Sequence, residues 1–78
     1  MNSRTALAER IALQQAWLAA ASALADARAA RKLDLPAYRR ELATLHEAGA
    51  SVRFLAAATG AASSTVGDDI RHGRIVHQ

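Results

Sequence analysis

The stretch Ser51-Val52-Arg53-Phe54-Leu55-Ala56-Ala57-Ala58-Thr59-Gly60-Ala61-Ala62-Ser63-Ser64-Thr65-Val66-Gly67-Asp68-Asp69-Ile70-Arg71-His72-Gly73 decides how this chain folds. It sets one short helical run on each side of a glycine. Ser51 carries a hydroxyl suited to capping free backbone N–H groups, so a helix is expected over 52–58. Gly60 breaks that run, where positive φ is easiest for glycine. Ser63 or Ser64 is expected to cap a second helix, which runs to about Arg71 or His72 and which Gly73 stops. On a helical wheel Leu55, Val66 and Ile70 turn inward, and Ala56 is small where the helices cross. Ser64, Thr65, Asp68, Arg71 and His72 then face outward, with Gly67 at the margin.

Working outward, Asp34 followed by Pro36 is a helix-start signal: the aspartate caps and the proline occupies the first turn. The helix from about Leu35 to Ala48 places Tyr38, Leu42 and Leu45 on one face, and Gly49 is its expected terminator. Residues 3–32 contain no Gly or Pro and read as one long helix, or two with a break. Leu7, Ile11, Leu13, Trp17, Leu18, Ala21, Leu24 and Ala25 share one broad apolar face. Ala12, Ala16, Ala19, Ala23 and Ala30 lie opposite, and Gln15, Ser22 and Asp26 form a narrow polar strip. Such a helix is about 45 Å long and apolar nearly all round, so it needs cover on most sides. A unit of some 40 residues is too short to supply it, and a second copy of the chain is the simplest cover. The organisation read from the sequence is therefore all-α: an N-terminal dimerisation helix over 1–33, a three-helix unit over 34–73, and an extended or disordered tail over 74–78.

Composition narrows the function classes. A chain of 78 residues holds one small domain, and a partner would add to the little surface it buries. With no cysteine there is neither a disulfide nor a thiolate metal site, which fits a reducing compartment. The net charge is +3, with five basic and two acidic residues over 1–33, two and three over 34–50, and three and two over 51–78. Both ends are basic, which is compatible with a polyanionic partner. The run Ile11 to Ala25 faintly resembles a signal peptide, but Gln14 and Gln15 interrupt it, Glu9 lies just before it, and it is too short to span a bilayer. His46, His72 and His77 do not have metal-ligand spacing. No nucleophile triad or glycine-rich phosphate loop is present, so neither catalysis nor a metal or cofactor is expected.

The Ser51–Arg71 pattern resembles the helix-turn-helix of small bacterial and phage DNA-binding regulators, over about 20 residues, or about 40 with the preceding helix. Leu55, Ala56, Gly60, Ala61, Thr65-Val66 and Ile70 carry the resemblance. It implies that the second helix of the unit enters the major groove of double-stranded DNA. The DNA-binding residues are then Ser51, Arg53, Ser63, Ser64, Thr65, Gly67, Asp68, Arg71, His72 and Arg74. Arg71 would take a guanine edge or a phosphate, and Asp68 a cytosine amino group. Ser51 and Arg53 would meet a phosphate at the start of the first helix. Arg39 and Arg40 would flank the same backbone, whereas Arg4, Arg10, Arg28, Arg31 and Lys32 are read as solvating the long helix.

Two features depart from the family's pattern. Asp68 and Asp69 place carboxylates where phosphates would repel them, unless one pairs with Arg53, Arg71 or Arg74. Phe54 stands where such regulators carry a polar residue, so the N-terminal helix or a partner subunit is expected to cover it. Leu7, Ile11, Leu13, Trp17, Leu18, Leu24 and Phe54 are the expected dimer interface. The resulting expectation is a cytoplasmic, nucleoid-associated homodimer that represses transcription by covering an inverted repeat, as in phages and mobile elements, without a small-molecule ligand. The alternative is a protein-interaction module, an antitoxin or adaptor, binding through the N-terminal helix.

Overall fold

A computed structural model describes the backbone of residues 3–77 and the side chains of residues 3–74. The chain forms four helices, α1 (Ser3–Ala29), α2 (Leu35–Glu47), α3 (Val52–Thr59) and α4 (Ser63–His77), with no strand among the described residues. Two starts are built as the sequence requires. Asp34 takes an extended conformation and its carboxylate accepts from the Ala37 N–H at 2.9 Å. The Ser51 hydroxyl accepts from the Phe54 N–H at 3.1 Å. At α4 the cap differs from expectation. The Ala62 carbonyl accepts from the Val66 N–H, so Ala62 stands at the cap position and both serines lie inside the first turn.

The helix ends are set by left-handed residues. Gly60, at φ 78°, ends α3 with its N–H donating to the Ala56 carbonyl. After α2, Gly49 (φ 125°) donates to the His46 carbonyl and Ala50 to the Leu45 carbonyl, the paired bonds of a Schellman motif. The end of α1 lies earlier than the run 3–32 suggests. There Arg31 donates to Arg28 and Lys32 to Ala27, which is the same motif, but the left-handed residue is Arg31 at φ 58°. Basic Arg31 and Lys32 suit a helix C-terminus, but no glycine marks the left-handed position.

One core joins all four helices. Leu42, Ala43, Leu55, Val66 and Ala21 are fully buried; Tyr38, Ala50, Ala56 and Ile70 are nearly so. The C-terminal half of α1 belongs to this core through Ala21, so 1–33 and 34–73 are not separate packing units. Helix α1 runs beside α3, with Trp17 against Phe54 and the Ser22 hydroxyl donating to the Ala58 carbonyl at 3.5 Å. Helix α2 runs beside α4. Arg39 meets Asp69, Ala43 meets Gly73 and Glu47 meets Arg74, so positions advance together along the two helices.

That crossing corrects the reading of Gly73. It does not end α4, which continues to His77, and the expected tail over 74–77 is helical; Gln78 lies outside the described residues. Gly73 is buried, and a Cβ built on it would lie 2.1 Å from the Arg39 carbonyl oxygen and 3.1 Å from the Ala43 Cβ. The residue is glycine because the backbone of α2 occupies the space that a side chain would need.

The other end of the molecule is open. Helix α1 has 27 residues, about 40 Å, close to the 42 Å long dimension of the whole chain. The first half of α1 overhangs the core. Leu7, Ile11, Leu13 and Leu18 are 55, 46, 47 and 48% exposed. Among the described residues, no helix is long and apolar enough to cross a membrane.

Candidate nucleic-acid interface

Helix α4 has one buried and one open face. Val66 and Ile70 point into the core, and Ser63, Ser64, Thr65, Asp68, Arg71 and His72 are all exposed. Only Gly60-Ala61-Ala62 separate α3 from α4, and Ala61 packs against the core. The outer face is thus carried by a helix held firmly by α2 and α3.

Four of the expected contact residues on α4, Asp68, Arg71, His72 and Arg74, already have partners within the chain. Arg71 Nη1 lies 3.5 Å from Asp68 Oδ1, one turn earlier, with both side chains mostly exposed. An exposed pair of this kind contributes at most about 1 kcal/mol, so a stronger anion displaces Asp68 readily. His72 Nδ1–H donates to the Asp68 carbonyl at 2.8 Å, which leaves Nε2 facing outward. Arg74 Nε lies 3.9 Å from Glu47 Oε1, across the α2–α4 crossing.

Asp69 has a different place from Asp68. It is 7% exposed and its Oδ1 accepts from Arg39 Nε at 3.0 Å. Neither Arg53, Arg71 nor Arg74 is its partner. The bond spans 30 residues of sequence and ties α2 to α4. Arg39 is therefore engaged inside the fold rather than free to flank DNA, while Arg40 is exposed. The repulsive charge on the outer face falls from two carboxylates to one, and that one lies beside Arg71.

Gly67 sits half-way between these faces, and a Cβ built there would meet no atom within 4 Å. No packing within the chain excludes a side chain at this position. Ser51 and Arg53 are both exposed at the start of α3, but the Ser51 hydroxyl is committed to capping.

The expected dimer face divides in two. Trp17 and Phe54 pack edge to face, with ring centroids 6.1 Å apart and planes at 77°. The Trp17 ring also lies 3.0 Å from the Cβ position of Gly49. Leu24 packs on the core. Phe54 is thus covered by α1, and Trp17, Leu24 and Phe54 are engaged within one chain. Leu7, Ile11, Leu13 and Leu18 remain uncovered.

Sequence reasoning misses Arg28. It stands in the last turn of α1 with its guanidinium carbon 4.9 Å from the Tyr38 ring centroid, the distance of a cation–π contact. Only the return of α2 beside α1 brings them together. No protein-family model, curated protein or solved structure matches the chain.

Proposed function

We propose that α3 and α4 form a helix-turn-helix that binds double-stranded DNA, with α4 as the recognition helix, in a homodimeric repressor. The observation that carries this reading is the exposed polar face of α4. Ser64, Thr65, Asp68, Arg71 and His72 project from a helix whose opposite side, Val66 and Ile70, is locked into the core. A helix docked in a major groove needs a rigid support, a donor-rich outer face and room for close approach. Arg71 offers a donor fork to a guanine edge, His72 a ring nitrogen, and Ser64 and Thr65 hydroxyls to bases or phosphates. Repression follows by occlusion, since a dimer seated in the groove covers the duplex against other proteins.

A second copy of the chain supplies the remaining binding energy. The overhanging half of α1 is about 20 Å long. Leu7 and Ile11 on it, and Leu18 just beyond it, recur at spacings of four and seven residues, the seam that pairs helices side by side. Pairing there places two α4 helices on one duplex, where successive major grooves lie about 34 Å apart.

The protein-interaction reading is favoured by the same exposed leucines, which suit a foreign helix as well as a second copy.

Gly67 separates a DNA-reading α4 from a merely solvated one. Gly67→Ala fills open space and removes the helix penalty of glycine, so it is expected to stabilise the fold by about 1 kcal/mol. Thermal unfolding should shift upward by roughly 4–8 °C. If the bare backbone is there for close approach of DNA, the same variant binds a duplex more weakly in a gel-shift titration. Higher stability with unchanged duplex affinity counts against α4 as the groove-entering helix.

A further inference from the structure

Where α1 and α3 end and α2 and α4 begin, the four helices leave an open groove of about 520 Å³. Its lining includes Arg28, Tyr38, Arg39, Thr59, Thr65 and Asp69. The polar groups there are unequally free. Arg39 and Asp69 satisfy one another at 3.0 Å, and the Thr59 hydroxyl donates to the Leu55 carbonyl at 2.8 Å. Arg28 is exposed and has no carboxylate within 4 Å among the described residues, whereas Arg71, Arg74 and Arg39 each have one. Thr65 is exposed in the first turn of α4, on the same groove.

Arg28 is also positioned. Tyr38 is 5% exposed and fixed in the core, and the Arg28 guanidinium lies over its ring. A cation stacked on a ring face keeps its N–H edges pointing outward. The fold thus holds one uncompensated cation beside the start of α4, although 37 residues separate Arg28 from Thr65.

We propose that Arg28 and Thr65 together hold one backbone phosphate of DNA at the edge of the major groove, making Arg28 a DNA-binding residue. This rests on the reading of α4 as a DNA-binding helix. A phosphate fits better than a base edge, because Arg28 comes from α1 and meets α4 only at its first turn, beside the outer face rather than along it. A duplex fits better than a free anion. The groove is open, so one cation in an exposed lip has little hold on an ion that brings no further contacts.

The test is the salt dependence of binding to a random-sequence duplex, between about 50 and about 200 mM salt. Each phosphate contact contributes about 0.9 to the slope of log affinity against log salt. Arg28→Gln is expected to lower that slope by about 0.9 and the affinity at 0.1 M salt about eightfold. Arg28→Lys, which keeps the charge, should keep most of the slope. Arg10→Gln, on the overhanging half of α1, should leave it unchanged. Because Arg28 is exposed, the circular-dichroism spectrum of both Arg28 variants should match that of the parent chain. A parent that binds with a salt-dependent slope that Arg28→Gln does not reduce overturns the assignment of Arg28 and leaves α4 standing. A parent that does not bind the duplex at low salt overturns the reading beneath both. Inorganic phosphate, tested against chloride at equal ionic strength, should not compete; saturable competition that Arg28→Gln abolishes would make this a free-anion site and overturn the duplex assignment.

Discussion

Gly73→Ala is expected to cost at least about 3 kcal/mol. The new Cβ would stand 2.1 Å from the Arg39 carbonyl oxygen, which belongs to the backbone of α2 and cannot rotate away. Alanine is the better helix former by about 1 kcal/mol, so propensity alone predicts stabilisation. Overpacking in a tight site costs about 1–3 kcal/mol and more where backbone must move, so the clash wins. To relieve it, α4 has to slide off α2, which also loosens the Arg39–Asp69 bond and the seat of Ile70. A chain of 78 residues has roughly 4–12 kcal/mol to lose. The melting temperature should fall by more than about 10 °C, and the urea midpoint with it. Unchanged stability would mean that α2 and α4 do not cross at Gly73. Gly67→Ala, in the same helix, has the opposite expected sign, because the space around that residue is empty.

Trp17→Ala is expected to cost about 2–4 kcal/mol, at or below the range for a buried aromatic because Trp17 is only half-buried. The indole covers Gly49 and meets the Phe54 edge, so its loss opens the α1–α3 seam and exposes Phe54. This defect lies inside one chain. The contrasting variant is Ile11→Glu, on the overhang, where the side chain is 46% exposed and lies outside the buried core. On the proposed pairing through α1, it should halve the mass seen by light scattering and leave the fluorescence of Trp17, the sole tryptophan, unchanged. If Trp17→Ala separates the proposed dimer without lowering the stability of the monomer, Trp17 belongs to the interface after all.

The local features of this fold are legible in the order of its residues. Asp34, Ser51 and Gly60 act within three or four residues of themselves, through cap bonds and a left-handed turn, so their types announce their roles. The inward positions Leu42, Leu55, Val66 and Ile70 follow from helical period alone. The features that period and residue type do not reveal depend on the meeting of distant segments. A glycine after a helical run usually ends it, yet Gly73 answers to Arg39, 34 residues earlier. Arg31 ends α1 in a conformation that its residue type does not advertise. The Asp69–Arg39 bond and the placing of Arg28 on Tyr38 arise from packing α2 against α4 and α1. For the candidate interface, the outer face of α4 is legible by period. Which arginines are already occupied, and which one is left without a carboxylate beside α4, depends on how the helices pack.

The most direct test of DNA binding through α4 is a titration of the chain against the duplex upstream of its own gene at two salt concentrations, repeated with Arg71→Ala. Binding that weakens steeply with salt as counterions are released, and whose preference over random sequence is lost in the folded Arg71→Ala variant, is the predicted result. No binding to either duplex at about 50 mM salt, or a preference untouched by the loss of Arg71, would contradict it.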